Sequence, residues 1–348
     1  MLNKRLITGI VIGTSAALIA ACGSSGSSST SSKSGPSSYT VTIDEPVATA
    51  TGAPLYVAIQ KGYFAQQGIK IKFSTLSTAS SVQEALTSGS IQFATGGAFS
   101  IVLANEKGAN YQVVESFGGP SFQVCANTAY AKSLGISAST PLKQMLTKVK
   151  GATVGVNGFG SPVTIPLQYL LKADAGLDPQ TSIKIVNLGS VAAARTALER
   201  GSIDIVVNSP PVCEETSGKG EVLLTTSFLP VLRTIPYQVF YGSKNWLSSH
   251  ATIASRVGKA LAEGNNFVKS NPTAAAQILH QGYFPTVSAA SLASLLKTYV
   301  LPNLPANGRM TEQGWQNVNT IMKISGATSS PPSAAEGVMW TNKSLPAS

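Results

Sequence analysis

The chain has 348 residues, 43% of them hydrophobic and 11% charged, and its 25 Lys and Arg against 15 Asp and Glu give a formal charge of +10. That balance would suit a nucleic-acid binder, but the lysines are spread singly, the arginines are few and no basic run or aromatic-interleaved patch occurs, which excludes nucleic acid as the expected partner. The length exceeds an ordinary single domain, so two lobes are expected.

Residues 1–21 read as an export signal: Lys4 and Arg5 precede an uncharged apolar run at 6–21, too short to span a bilayer ahead of a polar flank, and small Ala20 and Ala21 sit where a signal peptidase cuts. Ile19-Ala20-Ala21-Cys22 resembles the lipobox of bacterial lipoproteins, in which the cysteine is acylated and becomes the first mature residue. A plain secretory signal with an incidental cysteine is the alternative. Residues 22–38 continue as a Ser/Gly-rich stretch with nothing to bury and are predicted to be a flexible linker. Acyl chains on Cys22 would hold the protein on the outer side of the cell membrane or in the periplasm without a spanning helix. Removing Lys4 and Arg5 with the signal lowers the formal charge from +10 to +8.

Beyond the linker, short apolar runs alternate with helical patterns. Strands are predicted at 40–43, 69–73 and 91–94 from their period of two or their β-branched content. Between them, Pro54 suits a first helical turn, Leu55, Ala58 and Ile59 share a face, and Gly62 offers a stop. Ser80 and Ser81 likewise precede Val82, Ala85 and Leu86, ended by Gly89. The second half repeats the grammar, with strands at 152–156, 183–186 and 203–207 and helices through Leu167, Leu170 and Leu171 and through Ala194, Ala197 and Leu198. An echo, Ala-Leu-x-x-Gly-Ser-Ile, occurs at 85–91 and again at 197–203, each time where a helix stops at glycine and feeds a strand. From Ser243 the pattern is mostly helical, at 253–268, 272–281, 289–300 and 311–324. The order strand, helix, strand, helix predicts an α/β chain with mostly parallel sheets. Its expected organisation is lobe 1 at 39–118 and 228–330, lobe 2 at 119–227, and a tail at 331–348. Cys125 and Cys213 remain after Cys22; an oxidising exterior permits a disulfide between them, and two separate buried thiols are the alternative.

The run Thr51-Gly52-Ala53-Pro54-Leu55-Tyr56-Val57-Ala58-Ile59-Gln60-Lys61-Gly62-Tyr63-Phe64, followed by Gln67-Gly68-Ile69, resembles the opening helix of the nitrate, sulfonate, taurine and thiamine-precursor binding proteins, the NMT1/THI5-like family. Ala85-Leu86 with Gly89, the segment 150–156, and Ala197-Leu198 with Gly201 and Asp204 fall in that family's order, so the resemblance runs from about Tyr39 to the helical tail. Gln66 departs from it, standing where an acidic residue is common. The resemblance implies the type 2 periplasmic-binding-protein fold: two lobes, each a mostly parallel sheet flanked by helices, joined by two hinge crossings near Gly118 and Phe228. It also implies a monomeric, extracytoplasmic solute-binding protein that serves an ABC permease and its ATPase.

In such a fold ligands bind at the carboxyl ends of strands, where loops meet helix amino termini. The expected ligand-binding residues are Thr51 and Gly52 after the first strand, Gly97, Ala98 and Phe99 after the third, Phe159, Gly160 and Ser161 after the 152–156 strand, and Asn208 and Ser209 after the 203–207 strand. Gly119, Arg233 and Tyr237 near the crossings complete the set. Glycines let backbone approach a ligand and starting helices offer amides, although an ordinary strand-to-helix turn also needs glycine. Phe159 and Phe99 either stack on a flat ligand or plug the edge of a core. Arg195 and Arg200 read as solvated helix-flank residues. Those loops carry no Arg, Lys or carboxylate beyond the nearby Asp44 and Glu45, which favours a monoanion or a neutral polar molecule over a doubly charged one. The histidines are His250 and His280, both in the helical tail, and neither a cysteine cluster, a Gly-x-Ser-x-Gly elbow nor a nucleotide loop occurs, so no cofactor, metal or catalytic residue is expected. A lipid-anchored sensor, or an enzyme built on the same fold, is the alternative reading.

Overall fold

The computed structural model describes residues 38–45, 48–76, 78–119, 122–156, 163–208, 210–225 and 230–347, which lie in one unit spanning Pro36–Ser348. The apolar runs resolve into two sheets of five strands. The first is built from β1 (Tyr39–Asp44), β2 (Ile69–Ser74), β3 (Phe93–Gly97), β4 (Tyr111–Ser116) and, much later in the chain, β10 (Gln238–Ser243), in the order β2-β1-β3-β10-β4. The second contains β5 (Gln123–Asn127), β6 (Thr153–Val156), β7 (Lys184–Asn187), β8 (Ile205–Asn208) and β9 (Gly220–Thr225), in the order β7-β6-β8-β5-β9. In each sheet four strands run one way. The fifth, β10 or β5, pairs antiparallel with both its neighbours.

The sequence echo marks equivalent places in the two sheets. Gly89 and Gly201 both end helices in the left-handed region, with φ of 75° and 71°. Ile91 and Ile203 are then buried. The next residue in each copy closes onto the neighbouring strand through its side chain: Thr42 donates its N–H to Gln92 Oε1 at 2.7 Å, and Thr153 donates its N–H to Asp204 Oδ2 at 2.7 Å. β3 and β8 follow and occupy the middle of their sheets, each parallel to the strand before it.

Strand alternation serves two cores at once. Val124 and Ala126 of β5 and Ile205 and Val207 of β8 join the helices Thr164–Ala173 and Leu142–Lys148 on one face of the second sheet. Cys125 and Val206 point to the other face, beneath the helix Val191–Glu199. The first sheet is likewise covered on both sides. Val41, Phe93 and Phe240 face the helices Ala53–Gln60 and Ala251–Ser270, whereas Ala94, Val113 and Val239 face Phe99, Trp315 and Trp340.

Several elements differ from expectation. The strand read at 91–94 begins at Phe93, since Ile91 and Gln92 complete the turn after Gly89. The run 289–300 divides into the helix Ala289–Leu295 and a wider π turn at Leu296–Val300, ahead of Pro302, which offers no N–H to continue a helix. The tail at 331–348 docks on the first sheet: Val113 donates its N–H to Met339 O at 2.9 Å, Thr341 donates its N–H to Val113 O at 2.9 Å, and Trp340 is buried. That contact covers the open edge of β4, which would otherwise expose unpaired backbone groups. The signal, Cys22, the linker apart from Ser38, and the return crossing near Phe228 lie outside the described residues.

Candidate functional site

The carboxyl end of β1 carries a buried polar cluster. Tyr56, on the first turn of Ala53–Gln60, folds back over Gly52, where a Cβ would come within 2.9 Å of its ring. From there it donates its O–H to Glu45 Oε1 at 2.7 Å, and its oxygen accepts the Thr49 N–H at 3.2 Å. Thr49 and Thr51 share a hydrogen bond between hydroxyls at 2.8 Å. Burial raises the Glu45 carboxyl from its ordinary 4.5 to about 7, against the opposing pull of the Thr95 and Tyr56 hydroxyls and with a small further push from Asp44. Burial and the adjacent Glu45 push the Tyr56 phenol well above its usual range. Tyr283 stacks on Tyr56, with ring centroids 4.1 Å apart.

Above this cluster is a cavity of about 340 Å³ with walls from both sheets' lobes. Thr49, Tyr283 and Phe284 belong to the first; Val191, Arg195 and Asn208 are among those from the second. Its size is within the ordinary range for small-molecule sites. Ser190 caps the helix Val191–Glu199 by accepting the Ala193 N–H at 3.1 Å, and Ser190, Val191 and Ala192 line the cavity at the end of the helix whose first amides have no acceptor within it. Arg195, one turn on, pairs with Glu215 and their side chains remain 29% and 24% exposed. The lobes also meet through backbone, Ala50 donating its N–H to Pro210 O at 3.4 Å. Together these groups present an aromatic face, a helix end and a neutralised ion pair, a setting for a small polar ligand with little net charge.

Of the residues expected from sequence, Asn208 lines this cavity, whereas Thr51 and Gly52 are buried and are not on its wall, Thr51 reaching it only through its hydrogen bond with Thr49. Phe159, Gly160, Ser161 and Ser209 lie outside the described residues. Gly97, Ala98, Phe99 and Tyr237 are placed differently from expectation. Ala98 spends its N–H on Tyr237 O at 2.8 Å, and Phe99 and Tyr237 pack edge to face in the core with centroids 5.8 Å apart. Both rings are buried, because the helix Ala98–Glu106 turns its first residues under the sheet. Gly97 is paired with Gln238 in the sheet. Gly119 and Arg233 line a different cavity, beside the hinge. Arg195 is corrected in the other direction: it faces the cleft, while Arg200 is exposed as expected.

Sequence reasoning passed over the loop after β7, although Gly189-Ser190 ahead of an Ala-rich run is a helix-start signal. It also passed over Tyr56 and Tyr283, whose stack joins residues far apart in the chain. Cys125 and Cys213 are disulfide-bonded. His250 stacks on Trp246 and His280 Nδ1 contacts Val287 O at 2.8 Å, so both serve local structure. Among the described residues no group of three or more His, Cys, Asp or Glu could hold a metal, and no helix is long and apolar enough to cross a membrane.

The model of the family described as NMT1/THI5 like matches residues 50–275. YtlA of Bacillus subtilis (strain 168), provisionally named a binding protein, is 22% identical over 280 residues, covering 79% of this chain and 80% of its own. The zinc-bound ligand-binding component of an ABC-type import system from Staphylococcus aureus superposes with a TM-score of 0.67 at 16% identity, over 84% of this chain and 94% of that one. The alkanesulfonate-binding protein SsuA from Xanthomonas axonopodis pv. citri, bound to MOPS, gives 0.64 at 18% identity, over 84% and 93%. These likenesses establish the periplasmic-binding-protein fold.

Proposed function

Because the chain belongs to the NMT1/THI5-like family, we propose that it is the solute-binding component of an ABC importer and captures a small organic molecule or monoanion, of sulfonate, nitrate or pyrimidine type, between its two lobes. The observation that carries this reading is the cavity of about 340 Å³ walled by Thr49 and Tyr283 on one side and by Val191, Arg195 and Asn208 on the other. A ligand that touches both walls favours the closed arrangement over the open one, which is what a receptor handing its cargo to a permease requires. Asn208, Ser209 and the loop residues Phe159, Gly160 and Ser161 are the proposed contacts from the strand ends. Acylation at Cys22 would keep the protein extracytoplasmic and close to its permease and ATPase.

A thermal-shift screen of sulfonates, nitrate, pyrimidines and small aromatics tests the proposal, since a compound that prefers the native state raises the unfolding midpoint. A saturable rise that is lost on replacing both Phe159 and Ser161 by Ala, with the unliganded midpoint unchanged, supports it. Consumption of a bound compound would instead make the protein an enzyme.

A further inference from the structure

The helix Thr164–Ala173 of the second lobe carries more apolar surface than its own sheet covers. Leu167, Leu170 and Leu171 share one side of it and join the core beneath that sheet. Ile165 does not: it is 4% exposed, yet it belongs to the first lobe's core, with Ile235, Tyr237 and Trp315. Tyr169, one turn further on, is half-buried and packs against both cores. A spacing of four places Ile165 and Tyr169 on one side, opposite the three leucines, so the helix turns one face to each lobe.

The element that receives it is the helix Glu312–Ile324. Trp315, Val318, Ile321 and Met322 fix that helix in the first lobe's core. Its first turns also lie on the segment that returns from β9 to β10: a Cβ at Gly314 would come 2.6 Å from Thr234 O, and Asn317 Nδ2 donates to Thr234 Oγ1 at 2.7 Å. One helix therefore touches the first lobe, the returning segment and the second lobe. The helix Val191–Glu199, which walls the cleft cavity, packs on the Cys125 and Val206 face of the second sheet, whereas Thr164–Ala173 covers the Val124 and Ala126 face. A rotation of the second lobe that widens the cleft must slide Ile165 and Tyr169 along the receiving helix or lift them from it, since packed side chains interlock and do not deform continuously.

We infer that the helix Glu312–Ile324 is a brace between the lobes, and that its contact with Ile165 and Tyr169 sets how far the cleft opens in the unliganded protein. Lifting the contact returns apolar surface to water, which favours the separation seen here over a wider one. The brace acts in the empty protein, so it stands whether or not the cleft binds a transported solute.

The test is the distance between β2 and β7, the outermost strands of the two sheets at the ends away from β4 and β9. Spin labels on Lys70→Cys and Lys184→Cys, both exposed positions, report it by pulsed electron paramagnetic resonance in the protein carrying Cys22→Ser; Cys125 and Cys213 are bonded to each other and take no label. A single narrow distribution is expected in this parent, broadening about twofold or moving to longer distances in Ile165→Ala and in Tyr169→Ala. Leu170→Ala removes apolar surface from the side turned to its own sheet and should leave the distribution unchanged, although it melts earlier. A parent distribution that is already broad would overturn the inference. So would an Ile165→Ala distribution identical with the parent's, or an equal change in Leu170→Ala, which would mean that loosening the second lobe anywhere suffices. Should Ile165→Ala not fold, the half-buried position decides by the same readout: widening in Tyr169→Ala supports the brace, and no change refutes it.

Discussion

Cys125 and Cys213, 88 residues apart in the chain, are joined by a disulfide with their Cα atoms 5.6 Å apart. The bond fastens β5 to the turn that carries Pro210 and Glu215 into the cleft, so one wall of the cavity is fixed to its sheet covalently as well as by packing.

Closing so long a loop restricts the unfolded chain by an amount worth up to about 4–5 kcal/mol. Replacing both cysteines by Ser is expected to lower the urea midpoint accordingly, and peptide mapping of the unreduced protein should recover a Cys125–Cys213 linked pair. An unchanged midpoint would show that packing alone holds the wall.

Glu45 makes stability depend on pH. Its folded value, about 7, lies above its ordinary 4.5, so between those limits the unfolded chain releases a proton that the folded chain keeps. The stabilising contribution is complete below about pH 4.5 and is lost as pH rises through about 7, a decline of roughly 3 kcal/mol. Glu115, wholly buried and also raised, acts with the same sign. Glu45→Gln should flatten this decline in melting curves recorded between pH 4.5 and 8; an unaltered slope would assign it to other groups.

Tyr56→Phe removes the O–H that Glu45 accepts and the oxygen that the Thr49 N–H reaches. Leaving a buried carboxyl oxygen without its donor costs about 1–3 kcal/mol. The loss should be greater at pH 8, where the carboxylate carries charge, than at pH 4.5. Equal losses at both would mean that the hydrogen bond does not respond to Glu45 ionisation.

Gly264 lets the helix Ala251–Ser270 lie against the start of Ala53–Gln60, since a Cβ there would come 2.2 Å from Pro54 O. Gly264→Ala is expected to destabilise by about 1–3 kcal/mol through overpacking. Gly62→Ala, which meets no atom within 4 Å but sits at φ 74°, should cost about 1–2 kcal/mol from backbone strain alone. Only the first should also perturb ligand affinity, because it displaces the helix that bears Tyr56. Chemical denaturation with a paired binding titration separates the two.

Arg195 and Glu215 form a partly exposed pair at the cleft, so Arg195→Met should change stability by no more than about 1 kcal/mol. It should nevertheless weaken capture of any ligand found in the screen by tenfold or more, since that side chain stands on the wall. Wild-type affinity in the variant would place the ligand away from Arg195.

The runs at 40–43 and 69–73 are legible as strands because they alternate or are rich in β-branched residues, and the Gly-terminated helices announce their own ends. β4, β5, β9 and β10 are less visible. All six residues of β4 are buried, Glu115 among them, so Tyr111-Gln112-Val113-Val114-Glu115-Ser116 has no polar face to give it a period. β10 pairs between β3 and β4 only after the chain has built the whole second sheet, and no local pattern specifies that partner. At the site, the glycine-rich strand ends are visible from sequence, but sequence left Phe99 open between ligand and core, where it takes the core, and read Arg195 as solvated, where it lines the cleft. A side chain's direction at the start of a helix depends on how that helix docks on its sheet.

What the sequence by itself determined is whatever is encoded within one element: the α/β alternation, the helix stops at Gly89 and Gly201, the expected two lobes, and the run from Thr51 to Phe64 that marks the family. Only the tertiary structure decided the order of strands, the union of Cys125 with Cys213, the stack of Tyr56 on Tyr283 and the two separate cavities. Hydrophobic period and helix termini are local properties of a few consecutive residues, whereas a cleft exists only once distant segments exclude water from the same space.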